Sequence, residues 1–405
     1  MVKTHTLIQC FKIFKLRDIA GFAKLFITFI PGKIMKLFNR DIWVVTELKE
    51  NARDNGYWMF KYLRENHPKK KVYYPISKAS SDYKKVKPLG NVVEFGSLKH
   101  FLYFWVANKY LGTTKEHGFP DERTCQFIHL RGLSGFKYVF LNHGVARGYS
   151  SIVDGNITRY DLVIAMSESE RETMINMCNR KPENVVATGF CRHDNLGDDI
   201  LDKKLILFMP TWRNWLDFRH ETDKSTIEEI TNNYLHSDYF KRCNEIVTSP
   251  ELIKLLEERD MRLIMYLHGY AQGYSQYFKP ASDRIKVALK EDYFVQDLLK
   301  QAAYLITDYS SVIFDFAYMK KPCCYYQYDK EEFSKNQYSE SEYYTYEDHG
   351  FGPIFTELSE IIEHIDKTCD SGLNMEDKYL RRVENYFPSF DSKHSERIYE
   401  IIEKL

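Results

Sequence analysis

The 405-residue sequence lacks most of the signatures that announce phosphate or metal chemistry. It has no G-x-x-x-x-G-K-S/T, which excludes a P-loop ATPase, and no G-x-G-x-x-G dinucleotide fingerprint. D-x-D, the spacing that holds a divalent metal in many single-domain nucleotide-sugar transferases, is absent, as are H-E-x-x-H and G-x-S-x-G. What these absences leave is phosphate recognition by helix N-termini, arginine and histidine, with no obvious metal. The eight cysteines form no C-x-x-C pair and no zinc spacing, so they read as free thiols in a reducing, cytoplasmic compartment. Net charge is absent too: 57 basic and 57 acidic side chains point to no nucleic-acid partner. The most apolar segment, 19–38, is interrupted by Lys24 and Pro31. It falls short of the ~20 apolar residues that span a bilayer, and no small-x-small cleavage site follows it.

Charge is unevenly placed. Residues 1–40 hold eight Lys/Arg and one acid, Asp18, a local charge of +7. A basic, densely apolar helix of this kind suits the headgroup region of an anionic membrane. The competing reading is a helix buried on its own domain, and the membrane surface is preferred here.

Downstream, short apolar runs alternate with helix-like stretches. Strands are expected at 42–47, 71–77, 91–95, 125–130, 138–144, 161–167 and 184–189, with helices at 52–66, 98–111 and 167–179. Ser167 followed by Glu170 is a capping-box signature. A second series runs from 204 to 328. Strand–helix alternation predicts parallel sheets covered on both faces, and two series predict two Rossmann-like domains. The expected division is an arm at 1–40, a first domain at 41–195, a second at 196–375, and C-terminal helices at 376–405 packing back on the first. Functional residues belong at the carboxyl ends of the strands.

His143 and His268 each follow an apolar strand and precede a glycine, Gly144 and Gly269. A strand-end histidine can take a proton from a hydroxyl near neutral pH, or it can simply cap the strand. The repeat of the layout, once per half, favours function. Thr211 and Arg213 end another strand, where a hydroxyl and a planar guanidinium suit anionic oxygens; a surface salt bridge is the plainer alternative for Arg213. Arg192 and Asp194, at the expected domain junction, read as a domain-linking ion pair. In "LITDYSSVIFDF" (305–316), Ser310 and Ser311 open a helix straight after a strand, a place for phosphate or for ordinary capping. Asp308 there orients a hydroxyl or fixes the turn.

Together "NHG" (142–144), "GFCRHDNL" (189–196), "ILFMPTWR" (206–213), "LITDYSSVIFDFAYMKKP" (305–322) and "FGPIF" (351–355) resemble the CDP-glycerol:poly(glycerophosphate) glycerophosphotransferases of teichoic-acid and capsule-polymer synthesis. The resemblance covers roughly residues 135–355. It implies an α/β, GT-B-like fold, two Rossmann-like domains facing across a cleft, preceded here by the basic amphipathic N-terminal helical arm. It implies transfer of a polyol phosphate from CDP-glycerol or CDP-ribitol to a hydroxyl of a polyol-phosphate polymer or lipid-linked acceptor, releasing CMP at the cytoplasmic membrane face. His143 then matches the family's acceptor base, His268 a histidine associated with donor phosphate, and Ser310 and Ser311 the donor-phosphate serines. Thr211 and Arg213 are expected to help bind phosphate, with Asp308, Gly144, Arg192 and Asp194 in support. No cofactor is assigned, and Mg²⁺ is left open. Two departures stand out: His268-Gly269 replaces a frequent His-Pro, and Asn-His-Gly-Val-Ala replaces the frequent His-Gly-Thr-Pro, which hints at a capsule-type or divergent acceptor. The rival readings are a GT-B glycosyltransferase using a nucleotide sugar, and a non-catalytic membrane scaffold.

Overall fold

The computed structural model describes residues 15–16, 18–39, 41–197, 202–217, 223–337 and 340–405. The chain forms two compact units, one of residues 1–195 with 388–405 and one of residues 196–387.

The first unit is built on seven parallel strands: β1 (Ile42–Thr46), β2 (Lys71–Ile76), β3 (Val92–Glu94), β4 (Lys109–Gly112), β5 (Lys137–Phe140), β6 (Leu162–Ala165) and β7 (Val185–Ala187). Their order is β3-β2-β1-β4-β5-β6-β7. Central β1 is buried along its whole length. Its apolar run, without alternation, follows from helices covering both faces. The order reverses between β1 and β4, and in such sheets ligands bind beyond the strand ends at that reversal.

Helix α1 (Asp18–Phe38) lies along α3 (Leu98–Val106), with α2 (Asn55–Asn66) between them in the chain. Glycine permits the close approach. A Cβ at Gly32 would stand 2.6 Å from Trp105 Cβ, and one at Gly21 would stand 2.7 Å from Thr124 Oγ1. Arg123 grips buried Asp18 with two hydrogen bonds of 2.9 and 3.0 Å. The lysines of α1 turn inward: Lys24 donates to the Gly96 carbonyl and Lys36 to those of Ala107 and Gly135. The outer face is therefore an apolar stripe, with Phe26 82 %, Leu37 71 % and Phe38 80 % exposed beside Ile19, Ile27, Ile30 and Ile34. Among the described residues no helix is long and apolar enough to cross a membrane. Residues 1–14 of the expected arm lie outside the described residues.

Two expected elements differ. Residues 125–130 are not a strand but the end of α4 (Glu122–Leu130), because Asp121 caps Thr124 N–H at 2.9 Å and the buried pair Cys125 and His129 has helical spacing. The expected helix 98–111 stops at Val106, and its tail is the central strand β4.

The second unit carries β8 (Leu205–Met209), β9 (Arg262–Tyr266), β10 (Ile285–Ala288), β11 (Tyr304–Thr307), β12 (Cys323–Tyr326) and β13 (Ile354–Phe355), all parallel, in the order β10-β9-β8-β11-β12-β13. Its reversal lies between β8 and β11, paired through Phe208 and Ile306. After α5 (Glu168–Met177) of the first unit come α6 (Val295–Gln301) and α7 (Val312–Tyr318) of the second. The Lys320-Lys321-Pro322 step has a structural role: buried Lys321 donates to the carbonyls of Leu299, Lys300 and Ala302, closing the C-terminus of α6. Burial lowers its ammonium to about 8.

The C-terminal helices divide between the units instead of returning together. Helix α8 (Asp377–Tyr386) stays in the second, where Tyr386 meets Phe314 at 5.3 Å and Phe351 at 5.4 Å, and Phe387 meets Tyr318 at 5.3 Å. Only residues 388–405 join the first unit, where α9 (His394–Glu403) buries Ile398 and Ile402.

Candidate active site

In the first unit the site grows from the end of β5. The chain turns at Asn142, whose φ of 64° lies in the left-handed region that asparagine tolerates better than most residues. Its Oδ1 accepts His143 N–H at 2.9 Å. Three side chains hold this turn. Asn55 Nδ2 donates to the carbonyls of Leu141 and Asn142 at 3.2 and 2.9 Å. Buried Glu170 accepts from Asn142 Nδ2 at 3.2 Å and from the amides of Ala146 and Met166 at 2.7 and 2.6 Å. Arg192 Nη1 donates to the His143 carbonyl at 3.1 Å and to Asp54 Oδ1 at 2.8 Å.

The backbone selects the tautomer of His143. Its Nδ1 lies 2.7 Å from the Thr113 carbonyl, just past β4. A carbonyl only accepts, so Nδ1 carries the proton of the neutral ring and Nε2 keeps a lone pair. Burial pushes the Glu170 carboxyl up to about 7 against the three donors that pull it down.

In the second unit the site surrounds the β8/β11 reversal. Asp308, just past β11, accepts from the amides of Thr211 and Tyr309 and from Arg213 Nη1 at 2.8, 2.5 and 2.9 Å. It thereby fastens the loop after β8 to the loop after β11. Arg213 also holds Asp329 through Nε and Nη2 at 2.8 and 3.1 Å. Beyond them Thr211 Oγ1 is buried with no hydrogen-bond partner among the described residues. Ser310 and Ser311 are half-buried; among the described residues Ser310 Oγ accepts a single 3.4 Å contact, from Val312 N–H, and Ser311 makes no side-chain cap.

His268 follows β9 and is exposed. Its ring lies 6.1 Å from that of Trp212 and 4.8 Å from that of Tyr270. Here the tautomer is the reverse of that at His143. Nδ1 accepts Tyr270 N–H at 3.2 Å, so in the neutral ring Nε2 carries the proton.

Two expectations are corrected. Arg213 is neither an open phosphate fork nor a surface salt bridge. Its side chain is 0 % exposed and is engaged by two carboxylates, since a buried guanidinium needs paired charge. Arg192 and Asp194 do not link the units as a pair. Arg192 pairs with Asp54, while Asp194 accepts from the amides of His394 and Ser395 at 2.7 and 2.8 Å, capping α9 within the first unit.

Sequence reasoning missed Asn55, Glu170 and Asp329. Glu170 was visible as the third residue of a capping box, but only half of the box forms. Ser167 Oγ accepts Glu170 N–H at 3.2 Å, while the carboxylate reaches Met166, Ala146 and Asn142. Among the described residues no group of three or more His, Cys, Asp or Glu is placed to hold a metal ion.

The family model described as CDP-Glycerol:Poly(glycerophosphate) glycerophosphotransferase matches residues 30–404. The chain is 29 % identical over 375 residues to the minor teichoic acid biosynthesis protein GgaB of Bacillus subtilis, covering 92 % of this chain and 41 % of that protein. It is 26 % identical over 339 residues to the teichoic acid poly(glycerol phosphate) polymerase of the same organism, covering 76 % and 41 %. To the teichoic acid ribitol-phosphate polymerase TarL of Staphylococcus aureus it is 25 % identical over 301 residues, covering 69 % and 47 %. The chain thus spans less than half the length of each of these relatives. The solved structure of the wall teichoic acid polymerase TagF superimposes with a TM-score of 0.64 at 18 % identity, covering 99 % of this chain and 98 % of that one, a likeness of fold.

Proposed function

Because the chain belongs to the CDP-glycerol:poly(glycerophosphate) glycerophosphotransferase family, we propose that it transfers a glycerol phosphate or related polyol phosphate from a CDP-activated donor to a hydroxyl of a teichoic-acid-like or capsular polymer or lipid-linked primer. The observation that carries this reading is the opposed tautomers of the two strand-end histidines. One offers a lone pair and the other a proton, and phosphoryl transfer to a hydroxyl asks for both. The acceptor oxygen attacks the β-phosphorus of the donor in line, and its proton passes to His143 Nε2. The bond from that phosphorus to the bridging oxygen breaks, and CMP leaves. Charge on the phosphoryl oxygens is met by His268 Nε2–H and by the hydroxyls of Thr211, Ser310 and Ser311. Arg213 and Asp308 keep the two loops that carry these hydroxyls in register. In this reading the reaction runs on the cytoplasmic face of the membrane, with the outer stripe of α1 seated in the bilayer surface. Because Lys24 and Lys36 face the protein, apolar contact contributes more to that seating than the +7 charge alone suggests.

The test is CMP release by the purified chain offered CDP-glycerol or CDP-ribitol with an oligomeric polyol-phosphate acceptor. Release that depends on the acceptor, forms a new phosphodiester and falls ~10²–10⁴-fold in folded His143→Ala is the expected result. Full turnover in His143→Ala overturns the base assignment. Silence with both donors, alongside nucleotide release from a nucleotide sugar, overturns the reaction class.

A further inference from the structure

At the C-terminal end of α1 lies a cavity of about 490 Å³ lined by Lys33, Ile34, Lys36, Leu37 and Asn108. Its cationic groups are Lys33 and Lys36. Lys36 Nζ gives two of its three protons to the carbonyls of Ala107 and Gly135 at 2.6 and 2.7 Å, leaving one without an acceptor among the described residues. Lys33 Nζ lies 5.6 Å from the Phe29 ring and 5.3 Å from that of Trp105. A side chain at Gly135 would meet Lys33 Nζ at 3.4 Å and Lys36 Nζ at 3.9 Å, so the two ammoniums converge. Neither lysine pairs with a carboxylate among the described residues. Burial, and then the neighbouring Lys33, lower the Lys36 ammonium to about 8, the mark of a cation without its anion. Asn108 uses Oδ1 to accept Ile42 N–H at 3.2 Å, and its Nδ2 has no acceptor among the described residues. The apolar lining, Ile34 and Leu37, continues the exposed stripe of α1.

We propose that this cavity binds the phosphate of an anionic phospholipid headgroup, with Lys33, Lys36 and Asn108 Nδ2 donating to its oxygens and the acyl chains lying along Ile34 and Leu37. The proposal rests on the membrane-surface reading of α1 given above. Charge complementarity selects the occupant: two ammoniums with no carboxylate partner among the described residues, and an amide donor beside them, meet an anion at an end of the stripe where apolar side chains and cations share a cavity.

The experiment is co-sedimentation of the full chain with vesicles of phosphatidylcholine alone, or with about one-third phosphatidylglycerol. The expected result is binding to both, with a several-fold preference for the anionic vesicles. Lys33→Gln should lower that preference about fivefold, taking about 1 kcal/mol per lysine near an anionic surface. Asn108→Asp should do at least as much, because it keeps the acceptor for Ile42 and replaces the donor with a charge that repels phosphate. Binding to phosphatidylcholine should not change in either variant. Lys99→Gln, an equal charge loss at an exposed position on α3, should stay within about twofold of the parent. Effects of Lys33→Gln and Asn108→Asp no larger than that of Lys99→Gln would overturn the headgroup site. Equal binding of the parent to both vesicles would overturn it too, while leaving the membrane reading intact. Binding to neither vesicle would remove the membrane reading and this site with it; a Phe26→Asp/Ile30→Asp variant that still binds phosphatidylcholine would remove the stripe's role alone.

Discussion

Arg213 is held by Asp308 and Asp329 in a place without solvent, with the rings of Tyr239, Phe333 and Tyr309 4.8, 4.9 and 5.3 Å from its guanidinium carbon. Removing one partner of such an arrangement leaves two buried carboxylates unmatched. Arg213→Met should therefore cost about 3–5 kcal/mol, read from urea unfolding. A loss below 1 kcal/mol would mean that solvent reaches the carboxylates. Glu170 titrates in the opposite sense from a paired acid. Its folded value of about 7 lies above the unfolded 4.5, so between those pH values the folded chain binds more protons than the unfolded one. Stability from this group is greatest below pH 4.5 and declines as pH rises to about 7. Against Glu170→Gln, the parent should lose about 3 kcal/mol of relative stability across that window; a flat difference would show the carboxylate to be ionised throughout. At this scale the sequence was legible where a candidate residue sits next to a strand. His143, His268, Ser310 and Ser311 could be picked out because local order alone puts them at strand ends. Asn55 and Glu170 could not, since what they hold lies 87 and 28 residues away along the chain. Arg213 was identified but misjudged, because nothing local foretells that Asp329 comes to meet it.

At the scale of elements, α1 depends on having no side chain where it crosses α3. Gly32→Leu drives a side chain into Trp105, and α1 must lift. Overpacking of this sort costs about 1–3 kcal/mol. It should also expose the peptide bonds at Lys24 and Lys36 to trypsin, since both ammoniums are now tied to carbonyls of the unit beneath. Unchanged cleavage would show the helix accommodates the leucine without moving. Periodicity found most strands because buried parallel strands are continuous apolar runs. It failed where that signal is ambiguous. Residues 125–130 are apolar enough for a strand, and only the Asp121 cap declares a helix. β4 is four residues long and abuts a helix of similar composition, so the two merged into one expected helix.

At the scale of the whole molecule, the strand–helix pattern restarts after residue 195, where the first unit gives way to the second. The split between α8 and α9 was not readable in the sequence, because both are amphipathic and only tertiary partners distinguish them. The aromatic neighbours Phe314, Phe351 and Tyr318 keep α8 and Phe387 in the second unit, whereas Asp194 and the Thr188 carbonyl, which lies 2.7 Å from His394 Nδ1, draw α9 to the first. Ending the chain after residue 387 should therefore weaken the first unit alone. Each of Ile398 and Ile402 is worth roughly 1.5–3 kcal/mol of burial. Hydrogen exchange should accelerate in α2 and β1, where Tyr399 meets Trp43 at 5.9 Å, and stay slow in β8 and β11. Acceleration in both units would contradict the division.

The place of α9 has a consequence for synthesis. A ribosome finishes residues 196–387, the whole second unit, before it makes the last helix of the first. At about 5–20 residues per second that interval is roughly 10–40 s. For that time the first unit waits with Trp43 and the end of β7 uncovered, and a nascent-chain chaperone that shields aromatic surface would find its binding site there.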